Sequence, residues 1–280
     1  IRLSRRLITP LNSVAHSLRE VAQGKLDARA PLDEQAMGET AQLVRDFNAM
    51  AERLQGMTRE REFWNAAIAH ELRTPVTILR GRLQGLAEGV FSPSSELFEG
   101  LLRQVEGLSC LIEDLRVLSL NDSGHLEVQR VSVRLADELG TVLQAFATPL
   151  AEKGFHLHQE LDATLLVECD VVRIRQALMA LLENALRHAD PGNLRVRLEQ
   201  AGGECQLSVE DDGPGIDSAL AIDIFEAFRR GDPSRSRKSG GSGLGLAVVK
   251  AIAEAHGGRA FWQPSASGGS CFVLSWPLRQ

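Results

Sequence analysis

Two apolar stripes open the chain, and each advances by alternating steps of four and three residues. Such heptad spacing predicts two amphipathic helices, and the glycines and proline between them predict a loop over residues 23–38. Because two narrow stripes bury each other poorly in one thin hairpin, residues 1–57 are expected to form a parallel bundle with a second copy of the chain, the alternative being an ordinary helical hairpin. The stripes are Leu7, Leu11, Val14, Leu18 and Val21, and Leu43, Phe47, Met50, Leu54 and Met57.

Residues 58–122 predict a longer helical hairpin. Its first helix is expected to run from about Arg59 to Val90, and the turn at 91–95 supplies N-cap candidates for a second helix. That second helix carries apolar residues at mostly strict four–three spacing as far as Leu118, and residues 121–124 end it. Wide apolar faces on both helices favour a four-helix bundle made by a dimer.

In residues 125–280, short β-rich runs alternate with helical patterns. This alternation predicts one α/β domain of about 150 residues, which is large enough for its own core. A polar segment at 229–243, rich in glycine, serine and basic residues, is expected to be a mobile loop. The predicted strands are Leu126–Val133, Phe155–Leu161, Leu165–Cys169, Leu194–Glu199, Gln206–Val209, Arg259–Trp262 and Ser270–Ser275, and the predicted helices are 135–152, 171–188 and 243–256.

Composition excludes several classes of protein. The 280 residues carry 31 basic and 37 acidic side chains, a net charge of −6, whereas a protein that coats nucleic acid needs a basic excess. The four cysteines contain no CxxC pair, which excludes a zinc ribbon and makes a reducing, cytoplasmic compartment the expected one. No apolar run reaches the roughly 18 residues that span a bilayer.

The first six residues contain three arginines and begin with isoleucine instead of methionine. A basic cluster is typical of the cytoplasmic side of a transmembrane helix, and it is equally compatible with a solvated helix start. The first interpretation makes the chain a cytoplasmic fragment, with a membrane-spanning segment ahead of residue 1.

The candidate chemistry begins at His70. Glu71 directly follows this histidine, and Thr74 lies one helical turn further on the same face. Pro75 cannot donate to the carbonyl of Glu71, so the helix is expected to kink just beyond the histidine. Because a proline inside a helix costs about 3 kcal/mol, the pattern indicates mobility at His70.

A second candidate set lies on a helix that Asp170 is expected to cap. Asn184, Arg187 and His188 follow one polar stripe of this helix. An amide oxygen can ligate Mg²⁺ and an arginine can bind phosphate, although a solvated helix face would carry the same residues.

Two glycine-rich segments complete the candidates. The run from Val209 to Ile216 follows a predicted strand. Its glycines allow a ligand to approach the backbone, and a carboxylate at its base can accept a hydrogen bond from an exocyclic amine. The run from Gly241 to Leu246 opens a helix and aims backbone N–H groups at an anion such as a nucleotide phosphate. No strand immediately precedes this second run, which argues against a dinucleotide-binding Rossmann fold.

Together these motifs resemble a bacterial sensor histidine kinase, in their order and over essentially the whole chain. The matching segments are His70–Pro75 (H-box), the helix of Asn184 (N-box), Asp212–Gly215 (G1 box), Phe225–Phe228 with Arg230 (F-box), Gly241–Gly245 (G2 box) and residues 1–57, which resemble a HAMP signal-relay domain.

The resemblance implies three domains: a HAMP domain at 1–57, a dimerisation and histidine phosphotransfer hairpin at 58–124, and a catalytic ATP-binding domain at 125–280. The implied fold class is α + α/β. A parallel helical bundle and a dimeric four-helix bundle precede an α/β sandwich of the Bergerat type.

The resemblance also implies how ATP and Mg²⁺ are bound. Asp212 would bind the adenine amine, Asn184 would hold Mg²⁺, and Arg187 with the backbone of 241–245 would contact the phosphates; residues 229–243 would be the ATP lid. The complete implied binding set is Asn184, Arg187, His188, Asp212, Gly213, Gly215, Ile216, Phe228, Arg230, Gly241, Ser242, Gly243, Leu244, Gly245 and Leu246.

The implied activity is autophosphorylation from ATP, followed by transfer to an aspartate of a response regulator. His70 would accept the phosphoryl group and Glu71 would remove its proton. Thr74 would place a water that dephosphorylates the regulator. The implied partners are a second copy of the chain and the regulator, and no nucleic acid. The resemblance also implies that the chain is the cytoplasmic portion of a bacterial inner-membrane protein, anchored by a segment ahead of residue 1.

One position departs from the resemblance. Many such kinases carry a second Asn one turn before the N-box Asn, and Ala180 stands there instead, which puts one metal-site contact in doubt. The alternative function is therefore a nucleotide-binding signalling scaffold without kinase activity. A chaperone- or gyrase-like ATPase is disfavoured, because Ala180 cannot activate water and such an enzyme leaves His70 and Thr74 unexplained.

Overall fold

The computed structural model describes residues 2–32, 38–217, 221, 223–228 and 242–278. Its internal contacts divide it into two units, Ile1–Arg80 and Gly81–Gln280. The helices are α1 (Arg2–Ala22), α2 (Glu39–Ala87), α3 (Ser95–Asp122), α4 (Leu135–Glu152), α5 (Val171–His188) and α6 (Gly245–Ala255), and the strands are β1 (Val131–Arg134), β2 (His156–Leu161), β3 (Leu166–Cys169), β4 (Asn193–Ala201), β5 (Glu204–Asp211), β6 (Arg259–Pro264) and β7 (Ser270–Pro277).

A small core joins α1, the following loop and the start of α2 in the first unit. Asn48 fixes the loop, because its side chain accepts from the N–H of Ala30 and donates to the carbonyl of Ala30, both at 2.9 Å. The core residues are Ala30, Val44, Phe47 and Ala51, with Val14 and Val21 packed against them.

Only part of each apolar stripe enters this core. Six of the stripe residues keep 40% or more of their surface exposed within the single chain, as expected for helices that pack against a second copy; the bundle itself stays a prediction. These residues are Leu11, Leu18, Leu43, Met50, Leu54 and Met57.

The α2 helix runs without interruption from Glu39 to Ala87, whereas the sequence pattern predicted two helices that meet near residue 58. Gly56 lies at this junction but stays within the helix, and the segment 57–63 contains neither proline nor glycine, so no strong helix breaker ends the first helix there. The helix ends three residues before the predicted Val90. Gly89 adopts φ 73°, and the N–H groups of Val90 and Phe91 both donate to the carbonyl of Gly85, which is a glycine-terminated helix end.

The second helix of the hairpin, α3, starts as predicted, since the hydroxyl of Ser94 accepts from the N–H of Leu97 at 3.2 Å. Its C-terminal half is packed in the second unit, where Val117 and Leu118 are buried. None of the described helices holds a stretch long and apolar enough to cross a membrane.

Ion pairs and hydrogen bonds connect α3 to α5 and α6. Arg173 of α5 contacts Glu113 at 2.8 Å, and the amide of Gln176 donates to Asp114 at 3.0 Å. Near the end of α3, Asn121 donates to Glu254 of α6 at 3.2 Å. These contacts fix α5 and α6 against α3.

A mixed five-stranded sheet in the order β2–β4–β5–β7–β6 forms the centre of the second unit. The β2–β4 pair is parallel, and the other neighbours are antiparallel. Helices α4, α5 and α6 pack against it, and the inward residues of the strands, such as Leu194, Val209 and Leu274, are buried. The predicted α/β sandwich behind a helical region is confirmed.

A separate two-stranded sheet pairs β1 with β3. The predicted strand at Leu126–Val133 is shorter in the structure, because β1 begins only at Val131. The N–H of Gln129 donates to the carboxylate of Asp170 at 3.0 Å instead of joining a ladder. A side-chain acceptor distant in sequence therefore replaces the strand partner.

The contact between α3 and α5 should depend on pH through Asp114. Burial raises the pKa of Asp114 to about 6, and the charges of Glu183 and Glu113 add to the rise, while the hydrogen bond from Gln176 and the charge of Arg187 oppose it. The pKa of Asp114 in the folded chain exceeds its ordinary value of 3.8. The protonated carboxyl therefore makes its full contribution to the free energy of unfolding below 3.8, and this contribution is lost as pH rises through about 6.

The Asp114→Asn variant should remove this dependence, because an amide keeps the acceptor for Gln176 and carries no charge. We expect its melting temperature to exceed that of the wild type by about 2–4 °C at pH 8 and by a clearly smaller amount at pH 5, where only part of the stabilisation has been lost. Thermal unfolding at both pH values tests this, with the exposed Asp137→Asn as control. A difference of equal size at pH 5 and pH 8 would contradict it.

Candidate functional site

The His70 segment presents three polar side chains on the first unit. His70 is exposed and Glu71 is half-buried on α2. The hydroxyl of the exposed Thr74 donates to the carbonyl of His70 at 3.4 Å. An imidazole in solvent, with a carboxylate beside it and a hydroxyl on the next turn, offers a nucleophile and a neighbouring base.

The helix α5 begins on the side chain of Asp170, as predicted. This carboxylate accepts from the N–H of Arg173 at 3.2 Å and from the N–H of Gln129 at 3.0 Å. The apolar side of α5 is then buried against the domain core, and Asn184 remains half-buried near its end.

Arg187 and His188 are exposed at the last turn of α5. Arg187 forms an ion pair with Glu183 at 3.0 Å, so its guanidinium lies along the helix. Partial burial of the ring, and then the positive charge of Arg187, lower the pKa of His188. The stripe of Asn184, Arg187 and His188 therefore combines one amide, one fixed cation and an imidazole that stays neutral near pH 7.

The N-terminus of α6 packs directly against α5. A Cβ added to Gly245 would lie 3.7 Å from the Cβ of Ala180, one turn before Asn184. Ser242 accepts from the N–H of Leu244 at 3.3 Å, Leu244 is buried, and Leu246 lies in the first turn. The first N–H groups of a helix lack intrahelical acceptors and carry a partial positive charge, so this end of α6 can bind an anion.

The segment before α6 is tied to the same place. Phe228 has φ 60°, and its N–H donates to the carbonyl of Gly243 at 2.9 Å. The ring of Phe225 packs edge-on against Phe272 with centroids 6.3 Å apart. Arg230, Gly241 and the predicted lid between them lie outside the described residues.

The turn after β5 separates two adjacent carboxylates. Asp211 is opposite the buried Leu194 in the sheet and is only 7% exposed, so it faces the layer between sheet and helices. Its Oδ1 accepts from the N–H groups of Gly213 at 2.8 Å and Ser270 at 3.3 Å, and among the described residues no donor reaches its Oδ2.

The Asp212 carboxylate is exposed, and both of its oxygens are occupied by protein donors. Oδ2 accepts from the side chain of Asn193 at 2.7 Å, and Oδ1 accepts from the hydroxyl of Ser267 at 2.7 Å. Burial raises the pKa of Asp211, whereas the hydrogen bonds from Ser267 and Asn193 lower the pKa of Asp212.

Glycines make the turn possible at two close approaches. Gly215 has φ 72°, and a Cβ there would lie 2.8 Å from the carbonyl oxygen of Gly268; a Cβ on Gly213 would lie 2.8 Å from the Oδ1 of Asp211. Ile216 is half-buried behind them. The turn therefore packs backbone to backbone against the β6–β7 connection.

The second unit thus carries all described residues of the nucleotide set, while His70, Glu71 and Thr74 belong to the first unit. Sequence reasoning missed Asp211, Asn193 and Ser267. The alternation of Leu207, Val209 and Asp211 along β5 could have pointed to Asp211, because the apolar members of this series face the core. Asn193 and Ser267 carry no such local signal.

A helix-covered mixed sheet with a buried carboxylate, glycine-rich turns and a glycine-rich helix N-terminus is typical of a nucleotide-binding ATPase domain. Three protein-family models match the chain in keeping with this. They are the HAMP domain at residues 2–56, the His Kinase A (phospho-acceptor) domain at residues 60–124, and the histidine kinase-, DNA gyrase B- and HSP90-like ATPase at residues 169–280.

Related proteins of known sequence and structure support the same family. The chain is 35% identical to the signal transduction histidine-protein kinase BaeS of Escherichia coli K12 over 280 residues, which is 99% of this chain and 59% of BaeS. The structure of Acinetobacter baumannii histidine kinase AdeS is 38% identical with a TM-score of 0.59, covering 75% of this chain and 98% of AdeS. Histidine kinase ThkA, solved in complex with the response regulator protein TrrA, shares the fold at 24% identity and a TM-score of 0.56, over 79% of this chain and 64% of that one.

The chain therefore belongs to the bacterial sensor histidine kinases, as its motifs predicted. It carries the domains of an ATP-dependent protein-histidine kinase, and it spans 59% of the length of BaeS.

Proposed function

We propose that this chain is a kinase core that transfers the γ-phosphoryl group of ATP to His70 and then to an aspartate of a response regulator. The observation that carries the nucleotide assignment is Asp211, a buried carboxylate whose Oδ1 is fixed by two backbone N–H groups. Its Oδ2 can accept the hydrogen bond of an exocyclic amine.

The adenine ligand in this proposal is Asp211, in place of Asp212, which the motif comparison suggested. Asp211 faces the same layer as α5 and the N-terminus of α6, whereas Asp212 already accepts from Asn193 and Ser267. A carboxylate with an available oxygen is the better acceptor for a ligand, since a new hydrogen bond there displaces none.

The phosphates would lie at the N-terminus of α6, where the backbone of 242–246 offers N–H donors, with Arg187 as the nearby cation. The amide oxygen of Asn184 fits Mg²⁺, which prefers oxygen ligands, and it lies one turn from the contact between Ala180 and Gly245. When bound, Mg²⁺ supplies neutralisation of the phosphate charge.

His70 would form the new bond. A ring nitrogen attacks the γ-phosphorus, the bond from that phosphorus to the β,γ-bridging oxygen breaks, and ADP leaves. Glu71 accepts the proton that the imidazole loses. Positioning and charge neutralisation supply most of the rate in phosphoryl transfer. One neighbouring base, Glu71, is therefore enough for the acceptor His70.

A homodimer and a response regulator are the proposed partners. Exposed apolar side chains along α3 support a dimer, because isolated helices rarely keep such rows in water; they are Phe98, Leu102, Val105 and Ile112. The complex of ThkA with TrrA supports a regulator as the second acceptor. Membrane attachment is proposed on the three arginines among the first six residues, a cluster typical of the cytoplasmic side of a transmembrane helix.

The first test is phosphorylation of His70. With γ-³²P ATP and Mg²⁺, the wild type should incorporate an acid-labile, base-stable label, and His70→Gln should incorporate none, because the amide cannot act as nucleophile. The exposed His125→Gln serves as control. Label retained in His70→Gln would refute the acceptor, and bound ADP without any label in the wild type would favour the signalling scaffold.

The second test concerns adenine recognition. Asp211→Asn should weaken ADP binding by about tenfold to a hundredfold, since hydrogen bonds to charged groups contribute about 1.5–3 kcal/mol. Calorimetric titration measures this, and Asp162→Asn in the β2–β3 turn should bind like the wild type. Unchanged affinity in Asp211→Asn would remove Asp211 from the site.

The third test concerns phosphatase activity towards the regulator, which Thr74 would support by orienting a water. Thr74→Ala should lower the ratio of phosphatase rate to autokinase rate by about a hundredfold, the lower end of the usual contribution of proton-transfer groups. Thr58→Ala is the matched control, because its hydroxyl donates to the carbonyl of Leu54 at 2.9 Å on the same helix. An unchanged ratio in Thr74→Ala would exclude this role.

A further inference from the structure

We infer that Asp212 is a positioning residue, which holds the turn that carries Asp211 through a set of hydrogen bonds here named the Asp212 clamp (Asn193, Asp212, Ser265 and Ser267). This inference rests on the proposed function, because it concerns the affinity for an adenine nucleotide. It assigns to Asp212 a role in which it never contacts the nucleotide.

The first half of the clamp joins the turn to the start of β4. The Oδ2 of Asp212 accepts from the backbone N–H of Asn193 at 3.3 Å and from its side-chain N–H at 2.7 Å. The amide oxygen of the same Asn193 side chain lies 3.0 Å from the Nε2 of His158 on β2. One carboxylate oxygen thus fixes the turn to two neighbouring strands.

The second half joins the turn to the β6–β7 connection. The hydroxyl of Ser267 donates to the Oδ1 of Asp212 at 2.7 Å, and the hydroxyl of Ser265 donates to Glu210 at 2.6 Å. Each serine hydroxyl carries one proton, so these two donations use both. The N–H of Ser267 also donates to the oxygen of Ser265 at 3.2 Å, which makes the connection a single unit.

Glu210 is itself fixed on the outer face of the sheet, opposite the helices. Its carboxylate lies 3.4 Å from Arg195 and 3.8 Å from Arg197. Asp211 therefore lies between Glu210 and Asp212, and both of these carboxylates are hydrogen-bonded to serines of the β6–β7 connection.

The backbone packing explains why this fixation matters for Asp211. The N–H of Ser270 donates to the Oδ1 of Asp211 at 3.3 Å. Gly269 has no room for a Cβ, because the carbonyl of Asp211 lies against it. A shift of the connection would therefore move one donor of Asp211 and the contact that supports its backbone, and the clamp restrains that shift.

A direct ligand and a positioning residue predict different results for a variant that leaves Asp212 unchanged. Ser267→Ala removes the donor to Oδ1 and keeps the carboxylate. If the clamp acts through position, ADP affinity falls about fivefold, the effect of one ordinary hydrogen bond, and Ser267→Thr restores it. Asp212→Asn, which places an amide against the donors of Asn193, should weaken ADP binding by about tenfold or more.

Base selectivity separates positioning from a general loss of structure. Since Asp211 recognises the adenine amine, a displaced Asp211 should weaken ADP and leave the weaker binding of GDP unchanged, so the ratio of the two affinities falls. A loosened fold would weaken both nucleotides alike. Thr164→Ala is the matched control, because Thr164 donates its hydroxyl to Asp162 at 2.6 Å in another turn of the domain; its ADP affinity should equal that of the wild type.

The experiment is calorimetric titration of the full chain with ADP and with GDP, accompanied by melting temperatures. A fivefold loss in Ser267→Ala, rescue in Ser267→Thr and a lower ADP-to-GDP ratio support the inference. Wild-type ADP affinity in Ser267→Ala, together with abolished binding in Asp212→Asn, would overturn it and make Asp212 a direct ligand. A wild type that binds no ADP would instead overturn the proposed function, and with it the premise of the clamp.

Discussion

The geometry of the nucleotide domain depends on one buried carboxylate, Asp170. Its oxygens accept from Arg173 and Gln129, and its own N–H donates to the Nε2 of His256 at 3.0 Å. The Nδ1 of that ring lies 2.8 Å from the carbonyl of Ile252 in α6. Burial lowers the pKa of His256, so the ring stays neutral and can accept from Asp170. One residue thus fixes the start of α5 to the end of α6.

This connection determines where the two helices meet at their other ends. With α5 and α6 fixed at Asp170, the N-terminus of α6 arrives at Ala180, where a hydrogen on Gly245 and a methyl on Ala180 allow close packing. Asn184 and the first N–H groups of α6 then border the same layer that Asp211 faces from the sheet.

Local signals in the sequence predicted those parts of the fold that local interactions decide. The caps Ser94 and Asp170 accept from N–H groups three residues away, and both were found from the sequence. The wrong predictions concern features that contacts distant in sequence decide. The start of β1 depends on the hydrogen bond between Gln129 and Asp170, which are 41 residues apart. The surroundings of Asp212 likewise depend on Ser267, 55 residues away. The motif of adjacent letters did not by itself decide between Asp211 and Asp212, whereas the alternation of buried Leu207, Val209 and Asp211 along β5 separates the two carboxylates.

The side chains of α5 explain why we expect transfer to a histidine instead of hydrolysis. Activating a water requires a base with an available oxygen close to the nucleotide. Glu183 is the single acidic residue within α5, and it pairs with Arg187 at 3.0 Å, which holds its charge along the helix surface. Ala180, which faces the N-terminus of α6, has no polar group. The α5 face beside the proposed phosphate site therefore supplies an amide and a cation but no unengaged base, and a nucleophile must come from elsewhere, as His70 with its neighbour Glu71 can provide.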